Sequence, residues 1–429
     1  MNKFLLYTRL VNKKLSSDYK CPECNQYHVR RWCKRCNSRR FRNDFNNWTS
    51  GNDTIDKFIQ EAQINAISEN MVIEWIPYDR FKEIEKKDKG GFGTIYRAKR
   101  IDGSIKRWNI ENQQWERWGE EYVALKKYDT SLNEDFLNEI AIHSKAMSKS
   151  CPIQFYGITQ DPETNGYIMV LEFMDDGNLR NYLRKNFNKI NWKLKLGYLQ
   201  ELVSDFKNIH KLDIIHQDFH PGNILSWDFK YSSSLYISDF GISKLIKCDV
   251  KNPKKRKIFG VLPYMAPEVL CGEKYTKAAD VYSFGIIAYE IVTGFAPYYN
   301  IPHDKDLAIQ ICNGLRPKIP FHVPKLIARL IMRCWDARVS HRPTFKELKL
   351  ELSNYRYYEN LSKNLGLTNS TTPTPMNYEP HPEAIYTSRL LNYSCLPKPK
   401  NTKNFENELK ELTKSALSVV ASEPVGWKI

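Results

Sequence analysis

Two carboxylates and an amide, Asp218, Asn223 and Asp239, are carried by two short stretches, Ile-His-Gln-Asp-Phe-His-Pro-Gly-Asn-Ile-Leu at 215–225 and Tyr-Ile-Ser-Asp-Phe-Gly at 236–241. Phosphoryl transfer needs such a set: one group to orient a hydroxyl, and hard oxygen donors for the cations that neutralise phosphate. Asp218 has the chemistry to accept or orient the hydroxyl. Asn223 and Asp239 have the chemistry to hold magnesium (Mg2+), which prefers oxygen ligands and keeps some of its waters. An isolated Asp-Phe-Gly carries little information. The step from Asp218 to Asn223, and the short Leu-Tyr-Ile strand ahead of Asp239, carry more.

These groups act only if other elements hold a phosphate donor against them. Residues 84–98, Ile-Glu-Lys-Lys-Asp-Lys-Gly-Gly-Phe-Gly-Thr-Ile-Tyr-Arg-Ala, read as a hairpin. Gly90 and Gly93 let backbone N–H groups approach phosphates, with Phe92 at the tip and Asp88 where the pattern's first glycine would stand. Val123-Ala-Leu-Lys126 predicts a strand that delivers an ammonium group, and Phe136-Leu-Asn-Glu139 predicts a helix that offers a carboxylate. Lysines in strands are usually just exposed, but the upstream glycines and downstream Glu139 favour a functional Lys126. A buried strand from Tyr167 runs into a linker where Asp176 and Asn178 are candidate helix caps, and an amphipathic helix spans Trp192 to His210.

In this order the motifs resemble those of protein kinases over residues 81–352, nearest the tyrosine-kinase-like serine/threonine branch. The wider layout is similar to the expanded kinase family of mycorrhizal fungi: the four-cysteine arm, Glu-Trp-Ile-Pro-Tyr-Asp-Arg-Phe at 74–81 and Tyr-Thr-Ser-Arg-Leu-Leu at 386–391. The resemblance implies an α+β bilobal fold, a small antiparallel β-sheet lobe and a helical large lobe. It implies ATP bound by Gly90, Phe92, Gly93, Ile95 and Lys126, with Glu139 pairing to Lys126. Leu171 would be the gatekeeper, and backbone from Glu172 to Met174 would meet adenine. Asp218 would be the catalytic carboxylate, Asn223 and Asp239 the magnesium ligands, Asp280 a holder of the catalytic-loop backbone, and Glu268–Arg342 a structural ion pair.

Besides Asp88, three positions depart from the family pattern. Gln217 replaces the arginine that senses a phosphorylated activation loop, and Ser243 is the one hydroxyl between Gly241 and Val261, so activity is expected not to depend on phosphorylating that loop. His220 replaces a lysine that contacts the γ-phosphate, and Val261 replaces a threonine. An imidazole donates more weakly than a permanent ammonium, so slow turnover is expected.

Ahead of this domain, Cys21, Cys24, Cys33 and Cys36 form two Cys-x-x-Cys knuckles that can supply four thiolates to one tetrahedral zinc (Zn2+). The eight intervening residues are fewer than usual and require a tight hairpin through Asn25–Trp32. His28 is a substitute ligand, and four reduced cysteines in a mobile arm are the plain alternative. Residues 1–45 hold twelve Lys and Arg against three Asp and Glu. Trp32 and Phe41 lie among these charges, yet no recognition fold accompanies them, so nucleic-acid binding is disfavoured.

The remaining organisation follows from composition. A linker helix is expected within 49–80 with Asp53 and Thr54 as caps, and residues 101–121, with Trp108, Trp115 and Trp118, should form a self-packed hairpin insert. Beyond 352 the Asn, Ser, Thr and Pro content predicts a largely disordered tail, with weak helical periodicity at Phe405–Val420. The domains expected are therefore 1–48, 49–80, 81–352 and 353–429. The 429 residues are 41% hydrophobic with formal net charge +16, and no run of eighteen apolar residues occurs. The chain is expected to be cytoplasmic, without membrane contact; the Lys-Lys-Arg-Lys run at 254–257 resembles a nuclear import signal but suits a solvated loop. Two functions stand: an ATP- and magnesium-dependent kinase acting on protein serine or threonine, with tyrosine not excluded, and a pseudokinase scaffold.

Overall fold

The computed structural model describes residues 19–28, 32–90, 93–128, 134–147, 153–231, 234–241, 243–245, 258–362, 378–393 and 395–421. They form two compact units. The first takes Met1–Asp88, Gly93–Leu132 and Gln154–Phe173, and the second Lys89–Phe92, Asn133–Ile153 and Met174–Ile429.

In the first unit, β1 (Tyr19–Lys20) and β2 (Tyr27–His28) make a small hairpin, followed by helices α1 (Lys34–Asp44) and α2 (Asp53–Asn65). Asn52 caps α2 by accepting from the Thr54 and Ile55 N–H groups, one position ahead of the expected caps. Its buried face carries Ile55 and Ile59. Then come β3 (Glu74–Trp75), β4 (Phe81–Gly90), β5 (Gly93–Arg100), β6 (Ile105–Asn109), β7 (Gln114–Arg117), β8 (Glu121–Lys127), β9 (Phe155–Gln160) and β10 (Tyr167–Glu172). The main sheet runs β3-β9-β10-β8-β5-β4. It is mixed rather than antiparallel, because β3 pairs parallel with β9. The sheet thus begins before Phe81, the expected start of the domain.

β3 is held by sterics and by charge. A Cβ on Gly157 would stand 2.0 Å from the Glu74 carbonyl oxygen, so a bare glycine is what admits the strand. Glu74, buried, takes Arg100 at 2.5 Å and Arg117 at 2.6 Å on its two oxygens. The tryptophan insert does not pack only on itself. Trp115 stacks on Trp32 (5.7 Å) and Phe41 (4.7 Å) of the cysteine arm, while Arg40 covers Trp108 at 4.5 Å.

The second unit holds α3 (Glu134–Met147), α4 (Leu179–Asn186), α5 (Trp192–Lys211), α6 (Pro267–Leu270), α7 (Lys277–Thr293), α8 (Lys305–Cys312), α9 (Lys325–Cys334), α10 (Phe345–Ser362) and α11 (Phe405–Ala421). Its strands are the short pairs β11 (Ile214–Ile215) with β14 (Lys244–Leu245), β12 (Ile224–Leu225) with β13 (Tyr236–Ile237), and β15 (Ile258–Gly260) with β16 (Arg389–Leu391). Every residue of α7 from Ala279 on is buried, as its apolar character on all sides requires. The expected disordered tail is corrected for residues 378–421. The Tyr378 hydroxyl accepts from the Ala296 N–H (3.0 Å), Asn401 meets Asp336 (2.8 Å), and α11 lies on α9. Tyr378, Tyr386, Leu391 and Phe405 supply the apolar anchors that the polar composition of the segment obscures.

Burial alone would raise the Glu74 carboxyl, but Arg100 and Arg117 outweigh it and hold it below its usual 4.5. Glu74→Gln is therefore expected to cost about 3–5 kcal/mol at neutral pH, because Arg100 is left without its full counter-charge in the interior. The depressed carboxylate contributes fully above about pH 4.5 and loses its contribution as pH falls through the folded-state value, so the wild-type advantage should shrink there. Urea unfolding of both proteins between pH 7 and pH 4 measures this.

Candidate active site

The loop between β11 and β12 carries Asp218, His220 and Asn223, and its backbone is pinned from beneath by Asp280 of α7. Asp280 accepts from the His216 N–H (3.1 Å), the Gln217 N–H (3.2 Å) and His210 Nε2 (2.8 Å). Gln217 adopts a left-handed backbone, φ 69°, which a non-glycine residue holds only under such restraint. His216 is packed against Phe206, Phe219 and Phe240. Burial depresses its pKa, so it is neutral, with Nε2–H donating to the Ser238 carbonyl (3.0 Å).

Asp218 is 4% exposed. The Asn223 amide donates to its carbonyl at 2.9 Å, and its Oδ1 has no hydrogen-bond partner among the described residues. Burial pushes this carboxyl up, but His220 and the Ser388 hydroxyl outweigh burial and hold it below the ordinary aspartate value. His220 does not point outward as a free donor. Its Nδ1 accepts from the Gly222 N–H (3.0 Å), which leaves Nε2 to carry the proton, 3.2 Å from Ser388 Oγ and 3.6 Å from Asp218 Oδ1. Ser388 Oγ in turn donates to Asp218 Oδ2 at 2.5 Å. Sequence reasoning misses Ser388, because only the motif around it stands out.

Asn223 and Asp239 come together through Ser238, whose N–H and hydroxyl both donate to the Asn223 carbonyl (2.9 and 3.1 Å). With its amide nitrogen committed to Asp218, Asn223 offers Oδ1, and Asp239 offers a carboxylate: a hard-oxygen donor set that fits magnesium. Asp239 too is left-handed, φ 62°. Buried Glu139 of α3 lies close by; a Cβ on Gly241 would stand 3.1 Å from its Oε2 and 3.2 Å from Asp239 Oδ1. Ser243 is wholly buried, its hydroxyl donating to the His216 carbonyl at 2.9 Å. Met174 is buried at the start of the turn that Gly177 closes onto its carbonyl (3.0 Å), and Asn178 rather than Asp176 caps α4.

In the first unit, Lys126 on β8 faces Ile95 of β5 and Met169 of β10, and Leu171 pairs with Ala124 two residues along. Side chains alternate along a strand, so Ile95, Lys126 and Leu171 share one face of the sheet. Lys126 is buried with its ammonium 5.2 Å from the Tyr128 ring centroid. Glu172 ends β10, its N–H donating to the Gln154 carbonyl (2.9 Å). Gly90 and Gly93 end β4 and begin β5, whereas Phe92 and the basic run 246–257 lie outside the described residues.

The four thiols of the arm also converge. All four sulfurs lie within 4.8 Å of one another, with Cys21–Cys36 at 3.8 Å and Cys24–Cys33 at 3.6 Å. The first knuckle sits at the β1–β2 turn and the second on the N-terminus of α1, where Cys33 is the cap. A tight turn falls at Cys21–Gln26, while residues 29–31 of the hairpin expected through Asn25–Trp32 lie outside the described residues. His28 is not one of this set.

These features are those of a protein kinase domain. A family model described as protein tyrosine and serine/threonine kinase matches residues 81–352, and the chain belongs to that family. It is 32% identical over 321 residues to "Probable serine/threonine-protein kinase roco5" of Dictyostelium discoideum, covering 71% of this chain and 11% of that protein. It is 31% identical over 263 residues to stress-activated protein kinase alpha of the same organism, covering 57% and 39%. Against serine/threonine/tyrosine-protein kinase HT1 of Arabidopsis thaliana it is 30% identical over 277 residues, covering 63% and 67%. The chain thus spans about a tenth of the length of roco5. These names accord with the tyrosine-kinase-like serine/threonine branch.

Removing the Asp280 carboxylate leaves two catalytic-loop amides without an acceptor, at about 1–3 kcal/mol each. In Asp280→Ala the His216 and Gln217 amides should exchange with deuterium about tenfold to a hundredfold faster, while amides of β9 and β10 remain protected.

Proposed function

We propose that this chain is an ATP- and magnesium-dependent protein kinase that transfers the γ-phosphoryl group to serine or threonine of protein substrates. The observation that carries the reading is the buried Asp218 carboxylate, its pKa held below the ordinary aspartate value and its Oδ1 without a hydrogen bond among the described residues, beside the Asn223 and Asp239 oxygen donors. Asp218 would take the hydroxyl proton of the acceptor. Asn223 and Asp239 would hold magnesium, whose charge would offset that of the phosphates. Lys126 would meet the α- and β-phosphates, and Ile95 and Leu171, on the same sheet face, would border adenine. His220 would steady the acceptor oxygen through Nε2.

Asp239→Asn should lower transfer of labelled phosphate to an added basic protein by about 10²-fold or more. Equal incorporation by wild type and variant, or none by either, would leave a scaffold as the function instead.

We further propose zinc in the cysteine arm. A tetrahedron with Zn–S bonds of about 2.3 Å has S···S edges of about 3.8 Å, close to the separations above. Burial raises the Cys33 and Cys36 thiols, whereas the Gln26 backbone N–H pulls Cys24 down to about 6, so binding would release protons. Elemental analysis of purified protein should give about one zinc per chain. Chelation should red-shift tryptophan emission as Trp32 and its stack with Trp115 open to water; a metal-free protein with the same spectrum overturns this reading.

A further inference from the structure

The tail motif Tyr-Thr-Ser-Arg-Leu-Leu lies across the catalytic loop, and its contacts are those of a bound peptide rather than of a packing strand. β16 pairs antiparallel with β15 of the activation segment: Arg389 with Gly260, Leu390 with Phe259, Leu391 with Ile258. Ser388, the residue just before this ladder, delivers its hydroxyl to Asp218 Oδ2 at 2.5 Å, with His220 Nε2 3.2 Å from the same serine oxygen. The segment is clamped on both sides of Ser388. Upstream, the Tyr386 carbonyl accepts from Arg180 Nη1 (2.7 Å), its ring lies 4.8 Å from the Arg180 guanidinium carbon, and its hydroxyl donates to the Pro297 carbonyl (2.9 Å). Downstream, the Arg389 guanidinium donates to the His303 carbonyl, and Leu391 is buried. The neighbouring Thr387 is exposed, as alternation along an extended chain dictates.

We propose that Ser388 is phosphorylated in cis by this chain's own Asp218, residues 386–391 being a tethered serine substrate followed by Arg-Leu-Leu. This rests on the kinase reading above, which supplies the nucleoside triphosphate. Ser388 Oγ attacks the γ-phosphorus, its proton passes to Asp218 Oδ2, and the bond from the γ-phosphorus to the bridging oxygen breaks. The nucleoside diphosphate leaves with the electron pair. The product places a phosphate of charge about −1.5 to −2 against the Asp218 carboxylate, and repulsion between them drives the segment from the loop.

The test is to incubate the full chain with ATP and magnesium over a hundredfold range of protein concentration, locating phosphate by tandem mass spectrometry. An added basic protein serves as a second acceptor. Phosphate on Ser388 and not Thr387, at a fractional rate independent of protein concentration, is the expected result. Ser388→Ala should remove that phosphate. Leu391→Asp, which unseats β16 without touching the catalytic loop, should slow Ser388 modification about tenfold or more by lowering its effective concentration, while the added protein is still phosphorylated. Phosphate on the added protein with Ser388 unmodified overturns this proposal alone. So does a Ser388 rate proportional to protein concentration, or one unchanged in Leu391→Asp. Phosphate on neither acceptor overturns the kinase reading with it.

Discussion

The second unit is built around one buried carboxylate. Asp280, inside a helix with no exposed face, has no solvent to neutralise it, and three donors from two other segments do so instead. Because two of those donors are consecutive backbone amides, satisfying Asp280 fixes the direction of the catalytic loop and holds Gln217 in a left-handed conformation of about 1–3 kcal/mol cost. From this loop a chain of hydrogen bonds runs on through the site. His216 reaches Ser238, Ser238 reaches Asn223, and the Asn223 amide reaches Asp218. Desolvated charge and obligatory hydrogen bonding thereby set the geometry of every oxygen that phosphoryl transfer would use.

In the first unit the comparable constraint is Glu74. Its two arginines come from β5 and β7, so one carboxylate joins the main sheet to the tryptophan insert. That insert in turn forms a shared apolar floor with the cysteine arm through Trp115, Trp32 and Phe41. The rings that a nucleic acid would stack on are consequently buried, and Arg40 is spent on Trp108 and Glu23. The described part of the basic arm packs with the tryptophan insert in an apolar cluster of its own, beside that of the main sheet.

Gln217 stands in place of the arginine through which the family couples this loop to a phosphorylated activation segment, and Ser243 is buried. The carboxylate that would be governed by that segment is met instead by a serine from the tail, more than a hundred residues downstream. The hydroxyl reaches Asp218 because half-buried Tyr386 and buried Leu391 anchor the segment on either side of it and β15 offers a strand edge for β16.

The sequence by itself carried the residue types and order from which a phosphoryl-transfer site is proposed. Asp218, Asn223, Asp239, Lys126 and Glu139 were legible because phosphate chemistry fixes residue type and short spacing, and Asp280 and Glu268–Arg342 because the family pattern carried them. What it did not disclose were contacts made across long separations by residues ordinary in type. Gly157 admitting β3, Trp115 filling the arm, and Ser388 on Asp218 each depend on a partner that no local periodicity announces. The tail was misread for the same reason. Its polar composition reflects a segment with little core of its own, and only the folded large unit supplies the apolar surface and strand edge on which residues 378–421 become ordered.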